Sequence, residues 1–267
     1  MYRSLRIIRI IIALVCMLLP AWALLAGYDS VVKHMQILTA LLSGSLLCLL
    51  VWIVVTMVYG RLYCSLLCPL GTTMDCVSMV SRTLRRRSRD YRYRQPSNAV
   101  RIAFVVLAVL LILSGYGLLP VALDPYSEYA LMVEEFLCRP LGRQVPAVAF
   151  TMSAFALAAT VFIAVTAVAW RMGRLWCNTV CPVGSVLALA ARHPVFHMEI
   201  DPDKCTGCGL CEQTCKCNCI KVSERSIDTA RCVVCFDCAA VCPNNAISYK
   251  SGRYTLRTPM MQSIEKS

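Results

Sequence analysis

Four long apolar stretches dominate the hydrophobic pattern of the chain: residues 10–27, 37–59, 102–123 and 147–170, none of which contains a charged residue. Each stretch is about as long as a helix needs to be to cross a bilayer. All four are apolar on every side, which is typical of helices surrounded by lipid. The pattern therefore predicts an α-helical membrane protein with four transmembrane helices arranged as two tandem hairpins.

The pattern changes after residue 198, where long apolar runs stop and short mixed segments with many cysteines begin. We predict a membrane domain over 1–198, divided into repeats 1–98 and 99–198, and a small α+β domain over 199–249 that resembles a bacterial ferredoxin. Residues 250–267 are predicted to form a flexible tail.

Composition and charge support a multi-pass membrane protein and give its orientation. The 267 residues are 58% hydrophobic and 16% charged, whereas soluble domains are about 25% charged. Of the 27 Lys and Arg residues, 24 lie in segments 1–9, 60–101, 171–198 and 199–267. The positive-inside rule then predicts a protein of the cytoplasmic membrane with both termini in the cytoplasm and segment 124–146 outside.

Two other interpretations of these segments were considered. The first apolar run has a basic start and an Ala21-Trp22-Ala23 sequence, so it also fits a cleaved signal peptide. The arginines of segment 82–94 resemble a nucleic-acid patch, but their position between two membrane helices favours an orientation signal that binds anionic lipid. We expect no nucleic-acid partner.

A sequence repeat ends each half of the membrane domain. Residues 60–71 read GRLYCSLLCPLG, and residues 173–184 read GRLWCNTVCPVG, 113 positions later. Parallel repeats are commonly related by an axis along the membrane normal, which would bring the two motifs face to face on the cytoplasmic side. The prolines at 69 and 182 favour the start of a new helix.

The two motifs together supply four thiols, Cys64, Cys68, Cys177 and Cys181. Four sulfurs are the usual ligand set of an iron-sulfur cluster or a tetrahedral metal ion. Redox-active dithiols without metal and simple apolar packing of the cysteines are the alternatives. We prefer a third cluster and keep the dithiols as the main competitor.

The soluble segment contains the CxxCxxCxxxC spacing of bacterial ferredoxins twice, starting at Cys205 and Cys232. In that arrangement three neighbouring cysteines bind one 4Fe-4S cluster and the fourth binds the other. A disulfide framework would need an oxidising compartment, and a paired zinc site does not require the doubled spacing. The predicted ligands are Cys205, Cys208, Cys211 and Cys242 for cluster 1, and Cys232, Cys235, Cys238 and Cys215 for cluster 2.

Some cysteines have no assigned role. The first ferredoxin motif has Lys216 where the second has Pro243, and Cys217 and Cys219 follow it, so either one could replace Cys215 as the ligand. The remaining thiols are isolated in sequence; Cys76 lies near the first motif, and Cys16, Cys48 and Cys138 are most simply packing residues.

Four predicted membrane helices, two CxxxCP motifs and a doubled ferredoxin motif resemble the NapH/NosR-type family of membrane polyferredoxins, which are quinol dehydrogenase subunits of anaerobic respiratory systems. The resemblance covers nearly the whole chain. It implies electron transfer between the quinone pool and a partner protein in a multi-subunit respiratory complex. The same architecture resembles proteins that help to assemble copper oxidases, so a maturation factor that supplies electrons to a metal centre is the alternative function; a membrane-anchored sensor explains less of the sequence.

Other electron carriers fit the sequence poorly. Three histidines cannot supply haem ligands inside the bilayer, and His193 and His197 are better explained as a solvated pair. No glycine-rich dinucleotide motif is present. We therefore expect a quinone headgroup near the inner interface, flanked by Arg61, Tyr63, Arg174 and Trp176, residue types that also anchor helix ends. The outward segment has acids that would exchange protons, dock a partner or simply face solvent: Asp124, Glu128, Glu134 and Glu135, with Tyr126.

Overall fold

The computed structural model describes residues 2–26, 46–84, 91–95, 97–113, 124–142 and 152–252. Within these ranges the first 190 residues are helical, and strands occur only after residue 195. The predicted combination of a helical half and a small α+β half is present in the described residues. The rest of the predicted flexible tail, residues 253–267, lies outside them.

Each of the four apolar stretches contains a helix: α1 (Tyr2–Ala26), α2 (Leu46–Tyr59), α5 (Asn98–Leu113) and α7 (Met152–Met172). Large apolar side chains such as Ile11, Trp22 and Ile163 are exposed on them, as expected of surfaces that contact lipid. Among the described residues, Tyr2–Ala26 and Phe155–Met172 are long and apolar enough to cross a membrane, and α2 and α5 are shorter. Parts of the predicted second, third and fourth spans (37–45, 114–123, 147–151) lie outside the described residues, so four spans stay a prediction.

Each CxxxCP motif forms a short helix followed by a second helix that begins at the proline. The first motif gives α3 (Leu62–Leu66) and α4 (Pro69–Leu84), and the second gives α8 (Leu175–Thr179) and α9 (Pro182–Ala190). Proline is favoured in the first turn of a helix because its missing N–H has no partner there in any case. The two motifs therefore have the same local fold.

The segment predicted to face outward is more ordered than a solvated loop. Helix α6 (Pro125–Val133) begins at Asp124, whose side chain accepts a hydrogen bond from the Ser127 N–H at 3.0 Å, and it continues as a π-helical turn over Glu134–Cys138. It packs against α1, α4 and α7. Asp124 and Glu128 are buried, which corrects the expectation of ordinary solvent-exposed acids. Burial, followed by the charge of Asp124, raises the pKa of Glu128 to about 8.

The C-terminal domain is built on two small antiparallel strand pairs. Strand β1 (Phe196–Ile200) pairs with β4 (Ile247–Ser251), and β2 (Ile220–Lys221) pairs with β3 (Ser226–Ile227). Short helices α10 (Leu210–Thr214) and α11 (Asp237–Val241) lead into the fourth cysteine of each ferredoxin motif. The paired strands begin before residue 199 and end after residue 249, so the domain is slightly longer at both ends than the sequence indicated.

The N-terminal end of α1 joins the helical half to this domain. Tyr2 stacks on Phe236 with ring centroids 6.2 Å apart, and Arg6 forms an ion pair with Asp237 at 2.7 Å. A single cluster of buried apolar residues continues from the two motifs into the ferredoxin-like domain. The two halves therefore share a core around the cysteines.

Candidate metal centres

The two ferredoxin motifs form two separate cavities. The first encloses about 360 Å³ of empty space that is partly open to solvent. Its lining includes Cys205, Cys208, Cys211 and Cys242, which are the four residues predicted for cluster 1. Cys208 is exposed and Cys211 is buried, so this cavity lies at the surface of the domain.

The second cavity spans about 330 Å³, including space open to solvent, and is lined by more thiols than one cluster requires. Two of the extra sulfurs come from the Cys217 and Cys219 positions. Cys219 Sγ lies 3.4 Å from Cys215 Sγ, and Cys217 lines the same cavity, so the structure brings all three candidate fourth ligands to one place. The thiols that line the cavity are Cys215, Cys217, Cys219, Cys232, Cys235 and Cys238.

The backbone of both ferredoxin loops bends in the same way. Gly207 and Gly209 have φ values of 72° and 78°, and the matching positions of the second loop, Val234 and Phe236, have 52° and 61°. A β-branched residue such as valine strongly disfavours positive φ. The second loop adopts this conformation without glycine. The surrounding structure therefore requires the bend, which turns the cysteines towards the cavity.

The four CxxxCP thiols lie together in the interior. Cys64, Cys68, Cys177 and Cys181 are each 5% exposed or less and belong to one buried cluster. The Gly71 N–H points at Cys68 Sγ, and the Gly184 N–H points at Cys181 Sγ, both at 3.4 Å. Burial raises the pKa of Cys177 to about 11 and also raises the pKa of Cys68 and Cys181.

Each motif contributes one arginine that reaches the other motif. Arg61 Nη2 donates to the Cys177 carbonyl oxygen at 3.2 Å, and Arg174 Nη1 donates to the Cys64 carbonyl oxygen at 2.6 Å. Arg61 Nη2 also lies 3.7 Å from Cys64 Sγ. The two guanidinium groups are 0% and 1% exposed. They therefore join the motifs around the four thiols and hold the motifs face to face.

Glycine is required where the motif helices meet. A Cβ added to Gly71 would lie 2.5 Å from the Cys64 carbonyl oxygen, and one added to Gly184 would lie 2.1 Å from the Cys177 carbonyl oxygen. The glycine that ends each repeated sequence therefore allows the new helix to pack directly on the cysteine turn.

A buried network of charges surrounds Asp75. Its carboxylate accepts from Arg9 Nη2 at 2.7 Å and Arg174 Nε at 2.8 Å, and Lys216 Nζ lies 3.5 Å away. Lys216 also pairs with Asp237 at 3.0 Å. Burial alone would raise the pKa of Asp75, but Arg174, Lys216 and Arg9 together hold it well below its ordinary value. The network joins α1, both motifs and the ferredoxin-like domain.

The structure places the predicted quinone-flanking residues mainly inside the molecule. Arg61 and Arg174 are occupied with the opposite motif, and Tyr63 is buried against Trp52, with ring centroids 5.0 Å apart. Trp176 is half-buried. The two arginines are therefore part of the thiol site, and a quinone site beside these residues stays a prediction.

The unassigned residues separate into different surroundings. Cys138 is buried, Cys16 and Cys48 are half-buried, and Cys76 is exposed on α4. His193 is exposed and His197 is buried, so the two do not form one solvated pair. Within the described ranges, no three His, Cys, Asp or Glu side chains converge on a single metal ion. Ligands of a cubane bind four different irons and need not converge in that way.

Sequence reasoning missed three residues of these sites: Asp75, Asn178 and Lys216. Asp75 is one of only two acidic residues in segment 60–101, and an acid beside a basic, cysteine-rich motif was an available signal. For Lys216 the only signal was that it occupies the position where the second ferredoxin motif has a proline. Asn178 replaces the Ser65 of the first motif, and that difference between the repeats was the signal for it.

Comparison with protein families identifies 4Fe-4S binding domains. One family of that description matches residues 43–88 and again residues 153–200, so each match contains one CxxxCP motif. A second family, also described as a 4Fe-4S binding domain, matches residues 196–216. No solved structure matches the chain.

Three curated relatives illustrate the similarity. An uncharacterized protein of Methanocaldococcus jannaschii is 29% identical over 74% of this chain and 68% of its own length. The methylamine utilization ferredoxin-type protein MauN of Paracoccus denitrificans is 25% identical, with 62% of this chain and 52% of MauN covered. The regulatory protein NosR of Stutzerimonas stutzeri is 24% identical over 68% of this chain, which spans only 23% of NosR.

Proposed function

We propose that this chain, a polyferredoxin-type protein with 4Fe-4S binding domains, passes electrons between the quinone pool and a partner protein at the cytoplasmic face of the membrane. Its similarity to ferredoxin-type proteins and the two family matches support iron-sulfur electron transfer. The candidate membrane helices and the charge distribution support the membrane location. When bound, 4Fe-4S clusters accept and release single electrons.

We assign one cluster to each ferredoxin cavity. Four cysteines line the first cavity, as a single 4Fe-4S cluster requires. In the second cavity, Cys232, Cys235 and Cys238 supply three ligands, and Cys215 supplies the fourth in the predicted assignment. Cys219 lies against Cys215 and is the alternative fourth ligand.

The buried charge of Arg61 is the observation that favours a third cluster at the CxxxCP thiols. No carboxylate pairs with Arg61 among the described residues; its partners are the Asn178 amide, two carbonyl groups and Cys64 Sγ. A buried cation without a counter-charge is expensive. A cubane held by four thiolates is an anion, so a cluster on Cys64, Cys68, Cys177 and Cys181 would supply the missing charge.

The competing dithiol function explains this charge less well. Two neutral thiols, or the disulfide that they form on oxidation, carry no negative charge. In the disulfide state Arg61 would then be buried without an anion. The thiols are also almost completely buried, whereas redox-active dithiols exchange with partners and need access.

The positions of the three sites suggest the order of electron transfer. Cys217 lines the second ferredoxin cavity, and its carbonyl oxygen accepts a hydrogen bond at 3.2 Å from Nδ2 of Asn178, the residue that follows Cys177. The second cavity is therefore the neighbour of the CxxxCP site. The first cavity has the exposed Cys208, and the exposed Thr206 also lines it. We assign the partner's docking face to this cavity.

The quinone would then bind nearest the CxxxCP site, at the inner interface. Trp176 is the predicted flanking residue that keeps a half-exposed ring there. Arg61, Arg174 and Tyr63 enclose the CxxxCP site. They would therefore influence the quinone through that site. This assignment keeps the order quinone, CxxxCP thiols, second ferredoxin cavity, first ferredoxin cavity.

Iron content and low-temperature spin spectroscopy of the anaerobically purified full chain test the proposal. We expect about twelve irons per chain in the native protein and about eight in Cys64→Ser and Cys177→Ser, because only the CxxxCP cluster would be lost. Reduction of the remaining clusters by a quinol in liposomes should slow strongly in both variants. Cys76→Ser, on the exposed face of α4, is the matched control and should keep native iron and native rates. Eight irons in the native protein would refute the third cluster, and unchanged quinol-driven reduction would remove the motif from the path.

A further inference from the structure

We propose that Asn178 is a positioning residue that couples the CxxxCP site to the second ferredoxin cavity by holding Arg61 against Cys64; this inference rests on the proposed function. Asn178 lies on α8, immediately after Cys177, and is 2% exposed. The hydrogen bonds of its side chain lead in two directions, one towards each site.

The side-chain amide of Asn178 uses both of its ends. Its Oδ1 accepts from Arg61 Nη1 at 2.6 Å, and its Nδ2 donates to the Cys217 carbonyl oxygen at 3.2 Å. Arg61 Nη2 in turn lies 3.7 Å from Cys64 Sγ. A continuous path of hydrogen bonds therefore runs from Cys64, through Arg61 and Asn178, to the backbone of a residue that lines the second ferredoxin cavity.

Only a short amide fits this place. The side chain must accept from a guanidinium and donate to a carbonyl at the same time, which an aspartate cannot do because it has no donor. A serine has a hydroxyl group that can do both, but it is too short to reach both partners. Because each end has a different partner, the amide also has a single favourable orientation.

The two repeats differ at this position, although their backbones match. The first motif has Ser65 where the second has Asn178. Ser65 donates to the Leu62 carbonyl oxygen at 3.2 Å, within its own short helix. The second motif is also the one that touches the Lys216–Cys217 backbone, since the Arg174 N–H donates to the Lys216 carbonyl oxygen at 2.8 Å. The asparagine therefore occurs in the repeat that contacts the backbone of Lys216 and Cys217.

The expected effect of Asn178 is on potential and on transfer rate. A guanidinium held close to a cluster sulfur stabilises the reduced, more negative state, so fixing Arg61 in place raises the reduction potential of the site. The same side chain also connects the two sites through a series of hydrogen bonds. Residues that orient ligands in this way typically change affinity or activity by about 10-fold to 100-fold when removed.

Asn178→Ser, which installs the residue of the first motif, tests the inference in the anaerobically purified full chain. The contacts of Gly173 and Arg174 with Lys216 do not involve this side chain, so the ferredoxin-like domain should stay docked. We expect about twelve irons, a more negative midpoint potential of the CxxxCP cluster, and electron equilibration with the ferredoxin clusters that is about tenfold slower. The measurements are a redox titration and freeze-quenched spin spectroscopy.

Ser65→Ala is the matched control and should leave both quantities at their native values. Arg61→Lys is the second variant, because it keeps the charge but lacks the fork that reaches Asn178 and Cys64 together; it should lower the potential as Asn178→Ser does. If Asn178→Ser keeps twelve irons with native potential and native rate, the inference is wrong while the proposed function stands. If the native protein holds only eight irons, this inference fails together with the third cluster on which it rests.

Discussion

At the scale of single residues, the CxxxCP site depends on two glycines that give no signal beyond their place in the repeat. Gly71 and Gly184 lie inside helices, where any residue is allowed by the backbone. They are required because the helix packs against a carbonyl oxygen of the preceding cysteine turn. Such a requirement appears only when the two elements are seen together.

Gly184→Ala should therefore remove the CxxxCP site without removing the ferredoxin cavities. The new methyl group would lie 2.1 Å from the Cys177 carbonyl oxygen and 2.9 Å from an Arg61 nitrogen, and neither neighbour can move without disturbing the thiols. We expect the iron content to fall from about twelve to about eight per chain. Iron analysis of the purified variant checks this.

Val186→Ala is the control, because Val186 is on the same helix with its side chain 39% exposed. It should keep the native iron content. Twelve irons in Gly184→Ala would show that the site tolerates the extra methyl group, and the packing argument for this glycine would then be wrong.

The residue scale also shows what a local pattern does not contain. Arg61 and Arg174 are predicted to flank a quinone headgroup, and anchoring of helix ends is the other explanation of these residue types. Both are buried, and the partners that allow burial are distant in sequence: Asn178 for Arg61, and Asp75 for Arg174. Neither periodicity nor spacing reports such a pairing.

At the scale of elements, helix α1 is a candidate membrane span that also makes tertiary contacts. Arg6 and Arg9 belong to the basic N-terminal segment that was used to predict orientation. In the structure they also bind Asp237 and Asp75. Two charges of the predicted orientation signal therefore also take part in tertiary structure.

Asp75→Asn tests the charge network that these elements share. The substitution leaves Arg9, Arg174 and Lys216 close together without their common counter-charge. Breaking a buried ion pair by removing one partner costs about 3–5 kcal/mol, so we expect easier separation of α1 and the ferredoxin-like domain from the motifs. Limited proteolysis and thermal unfolding in detergent would measure this separation.

The exposed pair of Arg139 with Glu135 supplies the control, since Glu135→Gln should change stability by less than about 1 kcal/mol.

The pH dependence of the stability that Asp75 contributes has a definite sign. Because the folded pKa of Asp75 is lowered, its contribution is fully present above the unfolded value of about 3.9 and disappears as pH falls through the folded pKa. Between pH 5 and 8 the stability that Asp75 contributes to the native protein should therefore not decrease. A decrease in that range would contradict the assignment.

Element types were largely predictable, and their limits less so. The proline after each second cysteine predicted a helix start, and α4 and α9 begin at Pro69 and Pro182. For the acids of the outward segment, the alternative of simple exposure to solvent is wrong at Glu128, which is 1% exposed. Burial of a short polar helix depends on the helices around it, which a local pattern does not contain.

At the scale of the whole molecule, the cysteine sites lie where all the parts meet. The motif spacing predicted which thiols would gather, and the cavities contain those sets. The sequence leaves Cys215, Cys217 and Cys219 as alternative fourth ligands of the second set, and all three line the second cavity. The described parts of the second and third apolar stretches are also too short to establish the number of spans.

The ferredoxin-like domain has little secondary structure of its own, which leads to a prediction about metal removal. Its two sheets have two strands each, and isolated two-stranded pairs are marginally stable in water. Much of its interior is cysteine, including Cys211, Cys215, Cys217, Cys219 and Cys238. Cluster binding should therefore supply most of the folding free energy of this domain.

Anaerobic removal of iron with a chelator should unfold the ferredoxin-like domain while the membrane helices persist. Hydrogen exchange measures this: amides of β1 and β4 should lose protection, and amides of α7 should keep it, because the backbone hydrogen bonds of an apolar helix in a bilayer have no water to replace them. Restoring iron and sulfide under reducing conditions should restore protection in β1 and β4. If these strands stay protected in iron-free protein, the apolar core alone is sufficient to fold the domain. The cysteines would then belong to a structure that forms before the clusters bind.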